Sequence, residues 1–110
     1  MHKSIKPHNF PIDNMNNVVT EEKLKKYFAI TKEALDMVNA KGIDENRKSE
    51  ALDFLDMATR YYSDAQHFEK QGEIVVAFAA LNYAHGWLDA GARIKLFKVN
   101  DSRLFTVDEE

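Results

Sequence analysis

Two glycines divide the middle of the chain into three stretches, and each stretch repeats its apolar residues at helical spacing. Gly42 and Gly72 stand at the breaks, and glycine often ends a helix because it tolerates a left-handed backbone. Between the breaks, apolar side chains recur every three or four positions, which is the spacing of one helix face. The chain is therefore predicted to be all-α.

The predicted helices cover residues 20–41, 44–71 and 73–97. Thr20 is a suitable N-cap, and the two glutamates that follow it suit the positive end of the helix dipole. Both connections are only a few residues long, so consecutive helices should run antiparallel. The expected fold is a three-helix up-and-down antiparallel bundle.

One domain with two irregular tails is the expected organisation, because 110 residues fall within the size of a single domain. Residues 1–19 contain Pro7 and Pro11 together with several asparagines, a composition typical of turns. The bundle should occupy residues 20–97, and residues 98–110 should form a short C-terminal tail.

Composition excludes several classes of function. The net charge is −3 without a basic stripe, which argues against nucleic-acid binding. The chain has no cysteine, which removes disulfides, thiolate nucleophiles and cysteine-ligated zinc. Its longest apolar run, residues 74–81, is far shorter than the ~20 residues of a membrane span, and the N-terminus lacks the apolar core of a signal peptide. We expect a cytoplasmic protein with no membrane association and no cofactor.

The run NYAHGWLDAGAR, at residues 82–93, keeps polar residues inside the most apolar part of the chain. A helical wheel gathers four of them, here named the polar stripe, on an arc of about 80°: Asn82, His85, Asp89 and Arg93. The stripe is either the solvent face of this helix or a patch that binds a partner or an anionic or amide-bearing ligand. Gly86 borders it and could admit a partner's backbone. No metal site is predicted, because the stripe offers only two ligands and a site needs three or four.

Arg60 and His67 provide a second candidate site. Their separation fits the arginine-to-histidine spacing of HEPN-type ribonucleases, and seven residues place both on one helix face away from the core. The sequence shows no activated serine or threonine, no phosphate-binding glycine loop and no paired carboxylates beside them. Enzymatic activity therefore stays uncertain, and a non-enzymatic role is favoured.

Surplus apolar residues indicate a contact with another chain. Two pairs lie away from the predicted core faces or on the arc of the polar stripe: Ile30 and Met37, and Val75 and Phe78. A tail or a second subunit should cover them, since aligned exposed apolar side chains mark interaction surfaces. We expect a homodimer, with an unknown protein partner as an alternative.

Residues 61–97 resemble the archaeal family catalogued as domain of unknown function 357. The resemblance rests on the Tyr-Tyr-Ser-Asp-Ala run at 61–65, on Phe68 and Gly72, and above all on residues 82–93. It implies an archaeal, cytoplasmic three-helix bundle and implies no activity. The expected function is therefore a small interaction module that self-associates. A HEPN-type ribonuclease and a small-ligand binder using the polar stripe remain alternatives.

Overall fold

The computed structural model describes residues 17–107, which contain three α-helices. Helix α1 spans Glu21–Lys41, α2 spans Lys48–Lys70 and α3 spans Ile74–Arg93. Tyr27, near the start of α1, packs edge-on against Phe78, near the start of α3, with ring centroids 5.1 Å apart. Thus α1 and α3 run in the same direction, and α2 runs antiparallel to both. The predicted all-α three-helix bundle is confirmed.

Helix α3 is the central element, because it packs against both other helices while α1 and α2 barely touch. Its Leu81 and Leu88 are fully buried. Opposite them, α2 presents a line of alanines at seven-residue spacing, all with no exposed surface: Ala51, Ala58 and Ala65. Small residues along one seam let two helix axes approach closely, so the α2–α3 hairpin is the tightest part of the fold.

Local signals mark the start of α1 and the ends of α1 and α2 where the sequence predicts them. Thr20 accepts a hydrogen bond from the Lys23 amide at 3.0 Å and caps α1. Gly42 and Gly72 have φ values of 96° and 78°, which L-residues rarely adopt. After Gly72, the Glu73 amide donates back to a carbonyl of α2 at 2.9 Å, as in a Schellman ending.

The start of α2 lies later than the predicted residue 44. A single 3-10 turn, Glu45–Arg47, precedes the α-helix. The Arg47 guanidinium donates to Asp44 Oδ2 at 2.8 Å and to the Lys95 carbonyl oxygen at 2.9 Å. Because Arg47 links this turn to the end of α3, its backbone (φ −130°, ψ 42°) departs from the helical conformation.

The end of α3 lies earlier than the predicted residue 97. The helix stops at Arg93, and Lys95 has a left-handed φ of 64°. The Leu96 amide then donates to the Gly91 carbonyl at 2.8 Å, which is a Schellman ending with lysine at the glycine position. The chain turns back so that the Phe97 ring, 1% exposed, lies on Gly91.

Residues 98–107, here named the C-terminal segment, follow an irregular path along α1 and α3. Leu104 and Phe105 are buried, with 5% and 3% of their surface exposed. They join the core cluster built by the second half of α1, the first half of α2 and the second half of α3. The rest of the predicted tails, residues 1–16 and 108–110, lies outside the described residues.

Candidate functional site

The polar stripe divides into two parts in the structure. His85, Asp89 and Arg93 line a polar cavity of about 450 Å³ between α3 and the C-terminal segment. Asn82 does not line this cavity and instead lines a second, open cavity together with Tyr83 and Gly86. The C-terminal segment therefore covers one side of α3, and the other side stays open among residues 17–107.

His85 attaches the C-terminal segment to the bundle. Its Nε2 lies 2.6 Å from the Leu104 carbonyl oxygen, and its Nδ1 lies 3.2 Å from Thr31 Oγ1 of α1. A carbonyl oxygen only accepts, so Nε2 carries the proton and donates to Leu104. In the neutral ring Nδ1 then accepts from the Thr31 hydroxyl. Because Thr31 is only 2% exposed, this bond satisfies a polar group that the core would otherwise leave unpaired.

Asp89 provides a second attachment one turn later on α3. Its Oδ1 accepts from the Thr106 amide at 2.9 Å, and its Oδ2 accepts from the Thr106 hydroxyl at 3.1 Å. Hydrogen bonds to an ionised carboxylate are among the stronger ones in proteins. His85 and Asp89 together hold residues 104–106 on α3.

Arg103 closes the outer rim of the cavity. It donates to Asp101 Oδ2 at 2.9 Å and to Glu33 Oε2 of α1 at 3.1 Å. The hydrogen bond from Arg103 lowers the pKa of Asp101, and the same bond together with that to Glu33 raises the pKa of Arg103. Each of these exposed ion pairs adds little stability, but the pair with Glu33 attaches the C-terminal segment to α1 as well.

The prediction that the polar stripe binds a ligand is neither confirmed nor contradicted by this cavity, although only three of the four stripe residues line it. The stripe is not a bare solvent face, because His85 and Asp89 are half-buried. Nine residues line the cavity: His85, Asp89, Arg93, Ser102, Arg103, Leu104, Phe105, Thr106 and Val107. Much of the hydrogen-bonding capacity of His85 and Asp89 is used within the chain. Ligand binding there stays a prediction.

The four predicted interface residues have different surroundings. Ile30 and Met37 are half-buried and pack against the core cluster that contains Leu104 and Phe105. Phe78 is half-buried against the ring of Tyr27. Val75 alone among the four is largely exposed, at 67%.

A wide apolar groove runs along the open side of α3. It has a volume of about 640 Å³ and is lined by six residues, here named the outer face of α3: Ala79, Asn82, Tyr83, Gly86, Trp87 and Ala90. Val75, Val76 and Ile94, with 67%, 41% and 49% of their surface exposed, continue the apolar surface towards both ends of the helix. None of the six lining residues carries a charge.

Aromatic side chains of α2 support the groove along one edge. Tyr61 stacks on Tyr83 with ring centroids 5.0 Å apart and planes 16° from parallel. Phe54 meets Trp87 edge-on at 5.0 Å. One ring face of Tyr83 is thus fixed against α2, yet 62% of the residue remains exposed. The groove has a firm aromatic edge and a floor of small residues.

Gly86 lies in the floor of the groove, and Gly91 lies in the core. A Cβ at position 86 would meet nothing within 4 Å, whereas a Cβ at position 91 would overlap the Phe97 ring. Gly91 therefore allows a close packing contact. That contact is with Phe97 of the turned-back chain that follows α3, and not with a neighbouring helix. Gly86 leaves a notch that no described residue fills.

The outer face was not predicted from the sequence, because α3 is apolar on most of its circumference. A helical wheel does not distinguish the packed part of such a helix from the open part: Val76 and Ile94 are exposed and Trp87 is half-buried. A usable signal was the 4-3-4 spacing of Ala79, Tyr83, Gly86 and Ala90, which is the heptad spacing of a helix-packing seam.

Arg60 and His67, the ribonuclease candidates, are both exposed on α2. Arg60 pairs with Asp56 at 3.0 Å, one turn before it. His67 lies against the ring of Phe68, with centroids 5.7 Å apart. Neither side chain lines either cavity described above, and the ribonuclease function stays a prediction.

Two further properties bear on function. Within residues 17–107, no three histidine, aspartate or glutamate side chains come together in a way that could hold a metal ion. Over the same residues, no helix combines the length and the apolar character that crossing a membrane requires.

The fold and the groove define a class of small all-α bundle in which one face of the central helix is left open. Residues 26–97 match the family described as protein of unknown function (DUF357). The chain therefore belongs to this family. The resemblance in residues 61–97 is confirmed, and the match extends back through most of α1. No curated protein and no solved structure matches the chain.

Proposed function

We propose that this protein is a non-enzymatic interaction module that associates with a second copy of itself through the outer face of α3. One observation carries the proposal: the outer face of the central helix is apolar, and nothing within residues 17–107 covers it. Helix α2 covers one side, and α1 with the C-terminal segment covers another.

The open side is costly to leave in water. Burial of apolar surface contributes about 25 cal/mol per Å², and monomeric proteins rarely expose a continuous apolar patch of several hundred Å². Val75 and Tyr83 expose more than half of their surface. A partner that covers this side would gain stabilisation from residues that contribute little to the monomer.

A second copy is the occupant that the chemistry of this face favours. In a two-fold dimer the same surface meets itself, so any charge near the axis would meet a like charge. The six residues of the outer face are uncharged, although 30% of the chain is charged. Self-pairing therefore places no like charges opposite each other in the groove, while the net charge of −3 keeps the rest of the surface soluble.

The size of the face sets the expected affinity. From Val75 to Ile94, a helix with a rise of 1.5 Å per residue and a width of about 10 Å offers a footprint of roughly 300 Å². A standard interface buries about 800 Å² on each partner. The aromatic edge on α2, where Tyr61 and Phe54 already contact the groove, must therefore contribute. Weak, concentration-dependent dimerisation is expected, in the micromolar range.

Light scattering and sedimentation of the full chain between about 1 and about 300 micromolar test this proposal. Ala79→Glu introduces a charge into the outer face at an exposed helical position, so it should abolish dimerisation without unfolding the bundle. Ala29→Glu makes the same change at an exposed position of α1 and should leave dimerisation intact. A wild-type chain that is monomeric throughout this range, or equal effects of the two substitutions, would refute the proposal.

Trp87 offers an independent signal, because it is the single tryptophan of the chain and lines the groove. Its emission should shift to shorter wavelength with rising concentration in wild type, and not in Ala79→Glu. The archaeal, cytoplasmic setting implied by the family resemblance forms part of the same proposal, and the absence of cysteine is compatible with a reducing compartment.

A further inference from the structure

The six residues of the outer face occupy positions that are symmetric about the middle of the face, although their residue types differ. Three pairs are equidistant from a point between positions 84 and 85: Ala79 with Ala90, Asn82 with Trp87, and Tyr83 with Gly86. Each pair joins two residues that fit each other. One pair joins two small residues, one joins an amide to an indole, and one joins a large ring to a glycine.

We propose that two copies pack α3 against α3 in antiparallel orientation about a two-fold axis at this point. Tyr83 of each copy then lies over Gly86 of the other. This inference rests on the proposed self-association and adds the partner's orientation and register to it.

The pairing of Tyr83 with Gly86 is the strongest geometric argument. Gly86 leaves open space where a Cβ would stand, so a ring from a second copy can approach the helix backbone there. Tyr83 stacks on Tyr61 and keeps 62% of its surface exposed, which leaves its ring available and already fixed in direction. A preformed ring lowers the entropy that binding must overcome.

A parallel arrangement fits this face poorly. Parallel two-fold pairing would bring every residue against its own counterpart, so two Tyr83 rings would collide while the two Gly86 positions would leave a gap. Crowding and voids are both unfavourable in a packed interface. The antiparallel arrangement instead alternates large and small residues along the seam.

The other two pairs agree with this register. Ala79 against Ala90 places small side chains near both ends of the seam, so the helix axes can approach closely. Trp87 against Asn82 supplies an acceptor for the indole N–H, which donates only. The 4-3-4 spacing of Ala79, Tyr83, Gly86 and Ala90 is that of a left-handed helix pair with a crossing angle near 20°.

Disulfide trapping in the full chain tests the register, and the cysteine-free sequence needs no background substitutions. Ala79→Cys and Ala90→Cys are prepared singly and together. Positions 79 and 90 stand about 16 Å apart on one helix, which is too far for a disulfide within a chain. Under mild oxidation the double variant should form a covalent dimer at least ten-fold faster than either single variant.

The outcomes separate the two proposals. If the single variants cross-link as fast as the double variant, the helices are parallel and the register is wrong, while self-association stands. If no variant cross-links although the wild type sediments as a dimer, another surface mediates the contact and the register is wrong again. If no variant cross-links and the wild type is a monomer, both proposals fail.

Discussion

Gly86 lies on the outer face of α3 and Gly91 lies in the core. Substitution by alanine should raise the free energy of unfolding at position 86 and lower it at position 91. Ala is preferred over Gly in a helix interior by about 1 kcal/mol, so this gain applies to both Gly86→Ala and Gly91→Ala. At position 86 the new methyl group meets nothing within 4 Å. The free energy of unfolding of Gly86→Ala should therefore rise by about 0.5–1 kcal/mol.

At position 91 the same methyl group would overlap the Phe97 ring. The ring is 1% exposed and cannot turn into solvent, so the substitution overpacks the core, which typically costs about 1–3 kcal/mol. After the helical gain is subtracted, Gly91→Ala should be less stable than wild type by up to about 2 kcal/mol. The two variants should differ from each other by about 1–3 kcal/mol, or several degrees in melting temperature.

Urea unfolding followed by far-ultraviolet circular dichroism measures both values, at a protein concentration low enough that association does not contribute. Phe97→Leu supplies the control, since a smaller side chain makes room for the methyl group. Gly91→Ala should cost less in that background than in wild type, with a coupling energy above about 0.5 kcal/mol. If Gly91→Ala proves as stable as Gly86→Ala, Phe97 does not lie on Gly91 and the turn described at the end of α3 is wrong.

Three other perturbations have definite expected signs. Lys95→Gly should raise the free energy of unfolding by about 0.5 kcal/mol, because it relieves a left-handed backbone at the end of α3; an unchanged melting temperature would argue against that conformation. His85→Ala should lower it by about 2–3 kcal/mol, since it leaves two partners unpaired, and limited proteolysis should then cut the C-terminal segment first. The hydrogen bond from Arg103 lowers the pKa of Asp101, so its contribution is present above the ordinary pKa of about 4 and is lost as the pH falls. Wild type should therefore melt above Asp101→Asn at neutral pH, and a difference that persists at about pH 2 would contradict this origin.

The features that sequence predicted are local ones. Thr20, Gly42 and Gly72 act within one turn of their own positions, so their residue types alone reveal where a helix begins or ends. The end of α3 could not be read in this way. Residues 94–97 continue the apolar helical pattern, and the contacts that accompany the turn come from residues far away in the sequence. Arg47 donates to the Lys95 carbonyl oxygen, and the Asp44 amide donates to the Leu96 carbonyl oxygen at 2.8 Å.

The candidate site shows the same limit on a larger scale. The wheel identified a real polar stripe, but whether His85 and Asp89 face water depends on residues 98–107, whose sequence has no periodicity to place them. Likewise, the sequence of α3, which is apolar on most of its circumference, does not reveal which of its apolar sides is covered. That answer depends on which sides α1 and α2 occupy, and tertiary packing decides it.

The contacts of His85 also have a consequence for the order of folding. One imidazole joins α1, 54 residues earlier, to the C-terminal segment, 19 residues later. The α2–α3 hairpin can form from neighbouring contacts, whereas closing the longer loop costs more chain entropy. The His85 bonds should thus form last and open first, as a separate unit in native-state hydrogen exchange. The Nε2 proton held by Leu104 reports that opening directly, since its exchange with solvent requires the segment to leave while the hairpin stays intact.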